Sequence, residues 1–214
     1  MPPKPKKTRE QVVAAAVEII RQKGTKALTA RSLGSALGLA PSSVFTHFDS
    51  MEAVTEAAVE AARDIYEQYV QRGLSMNPPF KGFGMELLRF AEEEPNLFSV
   101  LFFSPNNSDP EEQEGHKELI LSTIAETFDI GPETAQQIYR SLWIYVCGMA
   151  TLQATGAVHF TEEERSTHLG NACRAFLMAA LAPEDARSAV TPKEGLTIHG
   201  SVESYLGNTE REEK

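Results

Sequence analysis

Residues 8–54 constrain this chain more than any other stretch: three short helical patterns follow one another, each closed by a turn signal, before a longer pattern opens. Thr8, with Gln11 three residues on, has the makings of a reciprocal cap at a helix start. Gly24 supplies the stop. Between them Val13, Ala16, Val17 and Ile20 fall at helical spacing and give one apolar stripe, which needs partners. Two very short pieces supply them. Thr29 caps the first, which carries Leu33, Ala36 and Leu37 and ends at Gly38. Pro41 opens the second, because a fixed φ and a missing N–H suit the first helical position. Leu39, Val44 and Phe48 are placed to face inward.

A helix, a tight glycine turn and a second helix are the layout of a helix-turn-helix unit, whose second helix lies in the DNA major groove. The residues left facing outward on that helix are Ser42, Ser43, Phe45, Thr46 and His47. They comprise hydroxyls able to bond base edges or phosphates, an aromatic able to touch a thymine methyl, and an imidazole. The run Leu28-Thr29-Ala30-Arg31-Ser32-Leu33, the run from Gly38 to Phe48 and the opening of the fourth helix from Asp49 to Val54 together resemble the TetR family of bacterial transcriptional regulators. Two positions depart from that family: Phe45 stands where Tyr is usual, and Met51 where a phosphate-holding Lys is frequent. Each departure removes a polar contact to the DNA backbone. The resemblance implies that Arg31 reads a base, with guanine the preferred partner for its fork. Thr29 and His47 would hold phosphates, while Ser42, Ser43, Phe45 and Thr46 complete the readout.

The net charge of −10 is unevenly spread. Residues 1–50 hold eight Lys or Arg against three Asp or Glu, a net +5, which leaves −15 for the remainder. A basic head on an acidic body is the asymmetry of a DNA-reading domain joined to a part that stays off DNA. The Pro-rich start carries Lys4, Lys6 and Lys7, which are expected to lie along phosphates as a basic arm. Two cysteines, Cys147 and Cys173, are too few and too far apart for a CxxC motif or a disulfide scaffold. With neither a signal peptide nor a membrane-span pattern, the chain is expected to be soluble and cytoplasmic.

Beyond the head, a long helix is expected from Asp49 to Gly73, with Glu52 completing its cap and Val54, Ala58, Ala61, Ile65 and Tyr69 on its apolar side. In the TetR family this helix carries effector binding to the spacing of two reading heads, and the resemblance implies the same here. Asn77-Pro78-Pro79 marks a break, residues 81–94 a helix with Met85, Leu88, Ala91 and Glu92 on one side, and Pro95 its end or restart. A loop over residues 104–110 and an acidic patch of Glu111, Glu112 and Glu114 precede a helix carrying Leu119, Ile120, Ile124 and Phe128. The longest apolar helix is expected over residues 132–156, with Ile138, Leu142, Tyr145, Val146, Met149 and Leu152 on a broad face. Trp143 to Gly148 is similar to a Trp-x-x-x-His-Gly pattern of one TetR branch, with Cys147 in place of the His. Thr161 and Glu164 cap a last helix, and the pattern stops at Pro183.

The expected fold is therefore all-α, with about nine helices. Residues 1–50 form the DNA-binding head, residues 51–182 an effector-binding and dimerisation domain, and residues 183–214 a tail. The wide apolar faces of the last two long helices suit a two-fold four-helix interface in a homodimer. A small-molecule effector in the helical body would be met by Phe90, Phe98, Phe102, Tyr139, Trp143 and Met149, which points to an apolar or aromatic compound. No phosphate loop, zinc motif or nucleophile elbow is present, and no histidine has metal-ligand spacing. A binding protein without metal or cofactor is expected, with double-stranded operator DNA as its partner. The rival is an all-α ligand-binding protein or enzyme whose first three helices are only structural.

Overall fold

The computed structural model describes residues 7–103 and 116–182. Every regular element among them is helical, as the apolar periodicity predicts. Eight α-helices follow in order: α1 (Arg9–Lys23), α2 (Ala30–Leu37), α3 (Met51–Leu74), α4 (Pro79–Glu93), α5 (Pro95–Phe102), α6 (Lys117–Phe128), α7 (Pro132–Ala154) and α8 (Glu162–Leu181). A single 3-10 turn spans Thr25–Ala27, and a 3-10 helix spans Pro41–Thr46. Lys4, Lys6, the 104–110 loop, the acidic patch and the tail from Pro183 lie outside the described residues.

Caps set most of these boundaries. The Gln11 N–H donates to the Thr8 hydroxyl at 3.3 Å while the Thr8 N–H donates to the Gln11 side chain at 3.2 Å, the capping box expected from the sequence. Thr161 and Glu164 form another at the start of α8. The start of α3 differs by one residue: Ser50, not Asp49, is the cap, its hydroxyl accepting the Ala53 N–H at 3.2 Å. Both residue types cap helices, so two of them side by side leave the start ambiguous by one position.

Helix α4 is the hub, packing against α3, α5, α6, α7 and α8. That explains why it buries residues nearly all round, Phe83, Glu86, Leu87, Leu88, Phe90 and Ala91 among them, rather than along the single stripe its sequence suggests. The wholly buried Glu86 carboxylate accepts from the Arg72 Nε at 2.9 Å and faces the Arg89 Nη1 at 3.0 Å. A buried charge persists only with such partners. At their crossing, α3 and α4 come to backbone contact: a Cβ added at Gly73 would lie 2.7 Å from the Gly82 carbonyl oxygen. Phe90 anchors an aromatic cluster there, with Tyr66 and Tyr69 each at 5.1 Å and Phe98 at 6.4 Å between ring centroids.

Tyr69 further ties α3 to α4 by donating its hydroxyl proton to Glu93 at 2.7 Å. Burial, reinforced by that carboxylate, pushes its pKa up to about 12, against 10.0 for an ordinary tyrosine. The folded state thus holds the proton more tightly than the unfolded chain does. Its contribution to stability is complete below pH 10 and lost as the pH rises towards 12. Urea melts of Tyr69→Phe from pH 8 to 11.5 are expected to show a shallower alkaline decline than wild type; parallel curves would refute the assignment.

Candidate nucleic-acid interface and internal cavity

The head is assembled around one close approach. Gly38 adopts the left-handed conformation (φ 67°, ψ 32°) that ends α2. Its N–H donates to the Ser35 carbonyl at 3.2 Å, and the Leu39 N–H reaches back to Gly34 at 2.8 Å. This paired closure satisfies carbonyls the helix end would otherwise orphan. Gly34 has to be small, because a Cβ there would stand 3.0 Å from the Leu39 oxygen and 3.2 Å from the Pro41 Cα. Leu33, Val44 and Phe48 are buried with Val12, Ala16, Val17 and Ile20 of α1. Within α1, Val12 takes the innermost place expected of Val13, which is half-buried. Ala36 stays exposed and Leu39 half-buried.

The Pro41–Thr46 helix is 3-10 rather than α. Six residues beginning with a proline offer few i to i−4 bonds, and the tighter form suits short pieces. Three residues per turn align Ser42 with Phe45 and Ser43 with Thr46. Ser42, Phe45, Thr46 and His47 are exposed, with Phe45 43% accessible, and Ser43 is half-buried. Arg31 projects from the first turn of α2, also exposed. Thr29 caps that helix, its hydroxyl accepting the Ser32 N–H at 3.1 Å, beside the free amides and positive dipole end that attract a phosphate. The His47 Nε2–H donates to the Lys7 carbonyl at 2.8 Å, and the Arg9 guanidinium lies 4.9 Å above the Phe48 ring. The base of the lysine arm is therefore fastened next to the 41–47 surface. Met51 is half-buried against the core, where a lysine would reach outward.

The head also grips the body. The Arg21 Nε donates to Glu94, between α4 and α5, at 2.7 Å, and the Asn96 side chain donates to the Arg21 carbonyl at 2.8 Å. Helix α3 runs from the head, where α1 packs on it, to the α4 crossing.

Within the body, α4, α6, α7 and α8 frame a partly open cavity of about 270 Å³. Phe80, Phe83, Ile120, Ile124, Phe128, Tyr139, Leu142, Trp143 and Val146 make most of its wall, while Lys81, Gly170, Cys173 and Arg174 stand along the α4–α8 side. Of the six aromatic or apolar residues singled out from the sequence, Tyr139 and Trp143 line this cavity, their rings stacked at 6.4 Å. Phe102 backs Trp143 at 6.2 Å, whereas Phe90 and Phe98 are sealed in the aromatic cluster. Met149 lies instead along a separate cleft with Ile144, Tyr145, Leu152, Phe160 and His168. The wall residues not anticipated had one legible signal, the spacing of Ile120, Ile124 and Phe128 along α6, which equally describes any core-facing stripe.

The outer sides of α7 and α8 expose apolar groups: Ile144 (64%) and Leu152 on the first, Met178 (74%) and Leu181 on the second. No group of three or more His, Cys, Asp or Glu side chains among the described residues could hold a metal ion. No helix among them is long and apolar enough to cross a membrane.

A helix-turn-helix head borne on a helix that continues into an all-α body defines a class of DNA-binding regulator. The chain belongs to the TetR family: residues 12–58 match the bacterial regulatory proteins of the tetR family, and residues 80–171 match the tetracyclin repressor-like C-terminal domain. Among solved structures, a candidate TetR-family transcriptional regulator from Mesorhizobium loti MAFF303099 shares the fold, with a TM-score of 0.50 at 20% identity. That match covers 80% of this chain and 98% of the other. No curated protein matches.

Proposed function

We propose that the protein is a homodimeric repressor that occupies a pseudo-palindromic operator and leaves it when a small effector enters the body cavity. The observation that carries this reading is the exposed set Arg31, Ser42, Phe45 and Thr46 beside Lys7, whose carbonyl is held by His47, on a head of net charge +5 whose body carries −15. Each subunit places the Pro41–Thr46 helix in a major groove, with the two centres about one helical turn, roughly 34–36 Å, apart. Lys4, Lys6 and Lys7 follow phosphates, Thr29 and His47 hold others, and Ser43 supports the readout from its half-buried position. Residues 1–50 act as the reading head, 51–182 as the effector-binding and dimer-forming body, and 183–214 as a tail. Two copies join through the apolar outer sides of α7 and α8. The effector lies against Tyr139 and Trp143, and its differential affinity for one head spacing shifts the population away from the operator-bound form. The protein acts by binding in the cytoplasm, without catalysis.

The test is retention of DNA fragments flanking the coding region, against random-sequence competitor, at two salt concentrations. Specific retention with a salt slope is expected; binding no tighter than competitor refutes operator recognition at that locus. Arg31→Ala is expected to cost about 1–3 kcal/mol and to relax preference at one base pair of each half-site. A uniform loss on all sequences would show a phosphate contact instead.

A further inference from the structure

We infer that the cavity takes an amphiphilic carboxylate, its apolar part against Trp143 and its anionic head between Lys81 and Arg174. The inference rests on the effector reading of the cavity and goes beyond it by naming the ligand's charge. The Lys81 ammonium donates to the Ser166 hydroxyl at 2.8 Å, and the Arg174 guanidinium donates to the Asn171 side-chain oxygen. Neither cation meets a carboxylate among the described residues, although the body carries a large acidic excess. Arg72, Arg89 and Arg165, on α3, α4 and α8, each sit against one. A cation left with only a neutral partner at the edge of an apolar cavity keeps its capacity for a charge-assisted bond.

The space beside Gly170 is open. Ser166, Gly170 and Arg174 recur every fourth residue and so share one face of α8. A Cβ built at Gly170 would meet nothing closer than the Arg174 Nη1, at 4.0 Å. The missing side chain leaves a notch in α8 at the cavity edge, with Lys81 reaching Ser166 one turn before it and Arg174 one turn after. A cavity of about 270 Å³ lies at the small end of ligand sites, which limits the apolar part to one ring or a short chain.

Trp143 is the chain's sole tryptophan and lines the cavity, so its fluorescence reports this site directly. The full-length protein is titrated with 4-phenylbutyrate, 4-phenylbutan-1-ol and 4-phenylbutylamine, and with octanoate, octan-1-ol and octylamine. The carboxylates are expected to bind roughly tenfold or more tightly than their alcohols. The preference is expected to vanish in Lys81→Gln/Arg174→Gln with alcohol affinity unchanged, circular dichroism melts confirming that the variant folds. Equal binding of alcohol or amine, a preference that survives the double substitution, or no response from either series overturns the proposal. Operator retention in the same samples separates the two readings. Alcohols that perturb Trp143 and release DNA leave the effector cavity standing and remove only the anion assignment. Compounds that change neither signal count against both.

Discussion

Gly82→Ala is expected to lower the unfolding free energy by about 3 kcal/mol, at the upper end for an overpacked core. The added methyl group would arrive 2.6 Å from the Met76 Cβ and even closer to the Gly73 carbonyl. Backbone blocks it on one side, and backbone cannot rotate out of the way as a flexible side chain does. Relief therefore requires α3 and α4 to separate, which would loosen the Arg72–Glu86 and Tyr69–Glu93 pairs across the same crossing. Gly73→Ala should act alike, and the double variant should lose less than the sum, since one separation accommodates both. Gly131→Ala is the control: nothing lies within 4 Å of a Cβ there, and the change should stay within about 0.5 kcal/mol. Denaturant melts at one fixed protein concentration decide it. A Gly82→Ala midpoint equal to that of the control would mean that the crossing has room to spare.

If the proposed dimer forms through α7 and α8, Ile144→Glu/Met178→Glu is expected to convert it to monomers and abolish operator retention at concentrations where the wild type saturates. Both side chains are more exposed than buried within one chain, so the substitutions leave the folded subunit nearly undisturbed. At a two-fold interface every substitution counts twice, and each would bury a carboxylate without a partner, at several kcal/mol. In the proposed mechanism operator affinity depends on two heads held together, because a single head loses the second half-site and the effective concentration that links them. Sedimentation equilibrium beside the DNA assay reads both effects. A variant that remains dimeric would place the subunit contact elsewhere; one that becomes monomeric yet still binds DNA would remove the two-headed mechanism.

Much of the architecture is legible in one dimension because it depends on near neighbours. Thr8 with Gln11 and Thr161 with Glu164 close reciprocal caps over three residues, Gly38 takes the left-handed turn, and Pro41 starts the helix it is suited to start. Each of these is settled by a bond or a dihedral within one turn of chain. For the same reason Ser42, Phe45, Thr46 and His47 could be read as outward before any packing was known, whereas Arg31 was named by the family resemblance. The choice of Ser50 over Asp49, and of a 3-10 form for Pro41–Thr46, lay between local states of similar energy, and the burial of Val44 and Phe48 goes with the forms adopted.

The body follows a different logic. Periodicity identifies an apolar side but not what faces it, so Phe90 and Phe98 looked as suited to a ligand as Trp143 did. Only the meeting of α3, α4 and α5 seals the first two, and only the splay of α4, α6, α7 and α8 opens the space that Tyr139 and Trp143 line. The buried Glu86 has a near neighbour in Arg89 on its own helix, but its burial becomes tenable only once Arg72 also arrives from α3. By itself the sequence determined the helices, several of their caps and the side chains presented by the Pro41–Thr46 helix, because those rest on contacts a few residues apart. The tertiary structure alone decided which apolar side chains fill the core and which border a cavity, because that depends on where helices distant in the chain come to lie.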